Sequence, residues 1–117
     1  MRRVDLPTLR AAWWAQRALR RARRTLRRDG LAHATVTDPP RLGQDASRGV
    51  FAVLRRKDST CLERALVLQR WRAAHGVEKD VIIGVKGPAD NFAAHAWVDG
   101  EAEMDESFEE LLRLPAR

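Results

Sequence analysis

Cys61 is the only cysteine in the chain. No internal disulfide can form, which excludes the cysteine-dense frameworks of small secreted domains and makes a cytoplasmic setting the expectation. No apolar run approaches the ~20 residues of a membrane-spanning helix. The longest, Val81 to Val85, has the length of a strand. Met1-Arg2-Arg3 leads into more charge and a proline rather than an apolar stretch, so no signal peptide is expected. Zinc-ligand spacing, recognised nucleic-acid motifs, internal repeats and low-complexity stretches outside one arginine-rich segment are lacking too. What remains is 117 residues, 44% of them hydrophobic, enough for one domain with a modest core.

The charge is abundant and lopsided. A net charge of +6 hides an Arg-rich start, in which Arg2, Arg3, Arg10, Arg17, Arg20, Arg21, Arg23, Arg24, Arg27 and Arg28 face only Asp5 and Asp29. The other end is acidic: Asp99, Glu101, Glu103, Asp105, Glu106, Glu109 and Glu110 stand against Arg113 and Arg117. One reading is a solvated basic helix partly neutralised by the acidic end. The other is a surface for an acidic peptide, protein or nucleic acid, since clustered arginine makes an electrostatic footprint. Charge alone does not choose between them.

Periodicity predicts a first helix over residues 8 to 28, with Ala12, Ala15, Leu19, Ala22 and Leu26 inward, Leu9 and Trp13 beside them, and Asp29-Gly30 as the stop. A loop follows from Leu31 to Arg41, containing Asp38-Pro39-Pro40. A second helix is expected from Gly43 to Arg56, weakened by Gly49 at a cost of ~1 kcal/mol relative to alanine. The third has the clearest start. Thr60 to Glu63 fits the S/T-x-x-E capping box, and Gly76 is the expected terminator. Val81 to Val85 then reads as a buried strand. Residues 92 to 98 and 101 to 104 read as the arms of a hairpin about Asp99-Gly100. Ser107 and Glu110 form a second capping-box pattern, predicting a short last helix through Leu114. Helices first and strands later make an α+β fold, with N-terminal helices packed on a small antiparallel sheet. The chain is read as one domain, with an Arg-rich helical region over 1–46 and a catalytic core over 47–117.

Cys61 falls in the first turn of the third helix. Unpaired N–H groups and the positive end of the helix dipole favour thiolate there, the form that attacks carbonyl carbon. The same N–H groups can hold an oxyanion. A base is then needed. His33 lies near a loop, and His75 is at the far end of the same helix, about 20 Å away at 1.5 Å per residue. His95, flanked by Ala94 and Ala96 on a strand, is the histidine in place. An acid should orient it. With a two-residue turn at Asp99-Gly100, His95 pairs with Met104; with a three-residue bulged loop it lies across from Asp105. Asp105 is preferred and Glu103 is the fallback.

Three stretches, STCLERALVLQRWRAAHGV, DVIIGVKG and FAAHAWVDGEAEMD, together resemble the stand-alone leader peptidases of lasso-peptide biosynthesis, which are transglutaminase-like cysteine proteases. The likeness runs over roughly residues 47 to 112 and rests on Cys-Leu opening a helix and on Ala-His-Ala-Trp-Val. It implies a transglutaminase-like, papain-like core with Cys61 as nucleophile, His95 as general base and acid, and Asp105 orienting His95. The turn after Trp97-Val98 is shorter than is usual in that family. The resemblance further implies removal of the leader from a ribosomally made precursor peptide through a thioester. A separate PqqD-like leader-binding protein would deliver the precursor, and an ATP-dependent macrocyclase would act on the product. No metal or cofactor is implied. Arg17, Arg20, Arg21 and Arg24 are candidates for contact with the delivery protein or an acidic leader. Two other readings stand beside this one: a non-catalytic basic module binding peptide or nucleic acid, and another thiol acyl-transfer enzyme on the same fold.

Overall fold

The computed structural model describes residues 5–56, 58–87, 93–101 and 108–116. Three helices, α1 (Leu6–Asp29), α2 (Ser47–Arg56) and α3 (Cys61–Ala74), precede three strands, β1 (Val81–Lys86), β2 (Ala93–Val98) and β3 (Glu109–Leu114). The strands form an antiparallel sheet in the order β2-β1-β3. The expected α+β architecture is present. Short 3₁₀ turns at Leu31–His33 and Gln44–Ala46 punctuate the connections. No described helix is long and apolar enough to cross a membrane.

α1 starts where chemistry says it should. Asp5 caps it by accepting the Thr8 N–H, Pro7 lies in the first turn, and Gly30 at φ +80° ends it. Its buried stripe differs from expectation by roughly one residue of rotation. Thr8, Ala11, Trp14, Ala15, Ala18, Leu19, Ala22 and Thr25 are buried, whereas Leu9 and Trp13 are 55% and 66% exposed. Two threonines hide this stripe from a hydrophobicity count. Thr25 is buried because its hydroxyl donates to the Ala22 and Thr35 carbonyls and accepts the Thr35 N–H. Trp14 is the tryptophan turned inward, stacking near Trp71 and donating its Nε1–H to the Thr37 carbonyl.

Gly49 has a packing reason. A Cβ there would meet the Thr8 carbonyl oxygen at 2.2 Å, so the glycine lets α2 lie directly on α1. One core cluster joins α1, α2 and α3 around Val50, Val67 and Trp71, and a second joins α1 and α3 to the sheet through Ala65, Leu66, Val81, Ala96 and Val98. α3 belongs to both and is the central helix. It ends in a Schellman motif, with Val77 N–H bonded to Arg72 O, Gly76 N–H to Ala73 O, and Gly76 at φ +86°.

The last element is a correction. Residues expected to form a helix through Leu114 form strand β3 instead, paired with β1 from Val81↔Leu114 to Val85↔Glu109 with a bulge between Ile83 and Gly84. Glu, Leu and Arg are good helix formers, but so short a helix cannot stand alone. β1 offers an open edge, and pairing there sends Leu114 into the core while its carbonyl accepts from Gln69. The hairpin turn exists: Gly100 takes φ +79° and Glu101 N–H bonds Val98 O at 3.0 Å. Its second arm, apart from Glu101, lies outside the described residues. Among those, the strand beside β2 is β1.

Candidate active site

The start of α3 is held by side chains on three sides. Thr60 accepts the Glu63 N–H at 3.1 Å, and Glu63 accepts the Thr60 N–H at 3.0 Å, completing the capping box. These two bonds take up the N–H groups on either side of Cys61 and Leu62. The N–H groups of Cys61 and Leu62 belong to the first turn, where no helix carbonyl reaches them. From α1, Arg23 bonds both Glu63 oxygens at 3.1 and 3.2 Å and the Asp58 carbonyl at 2.6 Å. Burial alone would raise the pKa of Glu63, but the Arg23 guanidinium and the Thr60 N–H outweigh it, so the carboxyl lies below its ordinary value. Arg23 is raised in turn by its hydrogen bond to Glu63. Sequence reasoning found the cap and missed this tether; forty residues of separation leave no local signal.

His95 sits on β2 opposite Gly84 of β1. Side chains alternate along β2. Ala96 and Val98 enter the core beneath α3. The His95 ring stacks on Trp97 at 5.6 Å between centroids and lies 5.5 Å from Phe108. Gly84 makes room for this arrangement, since a Cβ there would stand 2.8 Å from the Trp97 ring. Cys61 and His95 nevertheless line one hollow of about 200 Å³, together with Leu54, Arg64, Ala65, Leu68, Ala96, Trp97, Val98 and Glu101. Cys61 is half-buried at its wall. Among the described residues no hydrogen bond joins Cys61 to His95.

The other candidates separate cleanly. Asp105 and Glu103 lie outside the described residues. His75 caps the far end of α3, its Nδ1–H donating to the Trp71 carbonyl at 2.8 Å. His33 is exposed on a 3₁₀ turn. Arg17, Arg20, Arg21 and Arg24 are exposed on α1. No group of three or more His, Cys, Asp or Glu among the described residues could hold a metal ion. The turn after β2 is clamped by ion pairs: Glu101 pairs with Arg72, and Asp99 shares Arg113 with Asp80 and Glu110.

A cysteine on the first turn of the central helix, sharing a hollow with a histidine on an edge strand of an antiparallel sheet, is thus the arrangement present. The family model for the transglutaminase-like superfamily matches residues 3–113. The chain belongs to the transglutaminase-like superfamily. This superfamily includes cysteine proteases. The match takes in α1 as well as the helix and strands that carry Cys61 and His95. No curated protein and no solved structure matches the chain.

Proposed function

We propose that this transglutaminase-like protein is a cysteine peptidase that removes the leader from a lasso-peptide precursor. The observation that carries the reading is the shared hollow, lined by Cys61 at a capped helix start and by His95 on β2. The likeness of the Cys-Leu helix start and the Ala-His-Ala-Trp-Val strand to leader peptidases supplies the substrate.

Cys61 Sγ attacks the carbonyl carbon at the leader–core junction while the Cys61 and Leu62 N–H groups receive the developing oxyanion. Protonated His95 gives its proton to the departing core amine as the C–N bond breaks, leaving the leader as a thioester on Sγ. Neutral His95 then takes a proton from water; the hydroxide adds to the thioester, the C–S bond breaks, and the leader leaves as a carboxylic acid. Asp105, with Glu103 next in line, orients the imidazole through its second nitrogen. A PqqD-like protein delivers the precursor, and an ATP-dependent macrocyclase consumes the freed core.

The test is cleavage of a precursor peptide with and without a leader-binding partner, in water and with an added primary amine. Hydrolysis at a single junction by the wild type, lost in Cys61→Ala and His95→Ala, is expected. Transfer of the acyl group to the amine in preference to water would assign the chain to acyl transfer instead. Absence of any Cys61-dependent chemistry would return it to a binding role.

A further inference from the structure

The C-terminal half of α1 borders a hollow of about 670 Å³, lined by Arg20, Arg23, Arg24, Arg27 and Arg28 together with Leu19, Gln16 and, from the segment before α3, Asp58. Two of these arginines have carboxylate partners, Arg23 with Glu63 and Arg28 with Asp29. Arg20, Arg24 and Arg27 form no ion pair among the described residues, although the chain is rich in acids. Of the described acids of the C-terminal segment, Glu101 is engaged by Arg72, and Asp99 and Glu110 by Arg113. Asp5 and Asp38 are held by Arg48 and Arg70. The described acids thus neutralise the positive charge of this face only in part, five arginines standing against Asp29, Asp58 and Glu63.

We propose that this groove docks an acidic stretch of the peptide substrate. The proposal rests on the peptidase reading and adds to it where the substrate lies. Asp58 is three residues before Cys61, so the part of the groove that Asp58 lines is at most about 11 Å of chain from the nucleophile. An extended peptide covers that span in about three residues, which places its acids from about four residues away from the bond that is cut. The groove also argues against a nucleic acid. Asp58 in its lining opposes a continuous phosphate backbone, and none of its lining residues is an aromatic platform for bases. A peptide that is acidic outward and neutral toward Cys61 satisfies both ends.

Fluorescence anisotropy with Cys61→Ala protein tests this without turnover, using a labelled synthetic peptide bearing a run of glutamates and its glutamine counterpart. The glutamate peptide should bind more tightly, and added salt should weaken it. Arg20→Glu/Arg24→Glu/Arg27→Glu should weaken it roughly tenfold and favour a lysine version of the peptide. The charge-matched control Arg41→Glu/Arg55→Glu/Arg56→Glu should change binding less than about twofold. If the triple reversal disturbs the helix by circular dichroism, Arg20→Gln/Arg24→Gln should still weaken binding roughly threefold. Equal losses in reversal and control, or an oligonucleotide of equal charge displacing the peptide more effectively than unlabelled peptide does, would overturn the proposal. Because binding is read in an inactive variant, failure of the wild type to cut any peptide would sink the peptidase reading and leave the docking result separately readable.

Discussion

Glu63 joins the cap of α3 to α1: it accepts the Thr60 N–H and both reachable nitrogens of Arg23. Removing the carboxylate loses the box and strands a guanidinium beside the helix turn that carries Cys61. Glu63→Ala should cost about 2 kcal/mol, read by thermal or urea unfolding. Glu63→Gln, which keeps the box but not the charge, should recover about half of that. Thr60→Ala should cost about 1 kcal/mol. Arg23→Ala should lower the cleavage rate roughly tenfold while leaving the KM for short neutral peptides unchanged, because it loosens the turn that aims Cys61 rather than a substrate contact. A rate loss fully accounted for by the unfolded fraction, or a raised KM for those peptides, would contradict that positioning role.

At the scale of elements, the closest joint is α1 against α2. Gly49→Ala improves helix propensity by about 1 kcal/mol, yet its methyl would collide with backbone at Thr8, so unfolding should show a net loss of about 2 kcal/mol or more. A stabilised variant would mean the helices are not packed this closely. The three helices and the first two strands were legible because their signals are local: a capping box at Thr60, a positive-φ glycine at Gly76, a β-branched run from Val81. What sequence could not give was set by distant partners. Trp14 displaced Trp13 from the core because Trp71 and the Thr37 carbonyl wait on that side. Residues 109 to 114 became a strand because β1 had an open edge, against their own helix propensity. Cys61 and His95 were readable as types at suggestive places. That one hollow joins them depends on how α3 crosses the sheet, which no local pattern encodes.

For the whole molecule, acid should be the sensitive direction. Asp5, Asp29, Glu63 and Glu110 all have pKa values below their ordinary 3.8 or 4.5; hydrogen bonds from Thr8, Arg28 and Arg113 are the leading causes for Asp5, Asp29 and Glu110, and the Arg23 and Thr60 bonds overcome burial for Glu63. A depressed carboxylate contributes stability above its unfolded pKa and loses it as pH falls through the folded one. The melting temperature should therefore be nearly flat from neutral pH down to about 5 and drop below about 4.5, less steeply in Glu63→Gln. The account as a whole turns on Cys61 forming an acyl-enzyme, and intact-protein mass spectrometry of acid-quenched reactions with a leader–core peptide addresses that directly. It predicts an adduct equal to the leader fragment less one water, mapped to Cys61, released by hydroxylamine and missing in Cys61→Ala. Cleavage that persists in Cys61→Ala, or an adduct mapped to another residue, would contradict it.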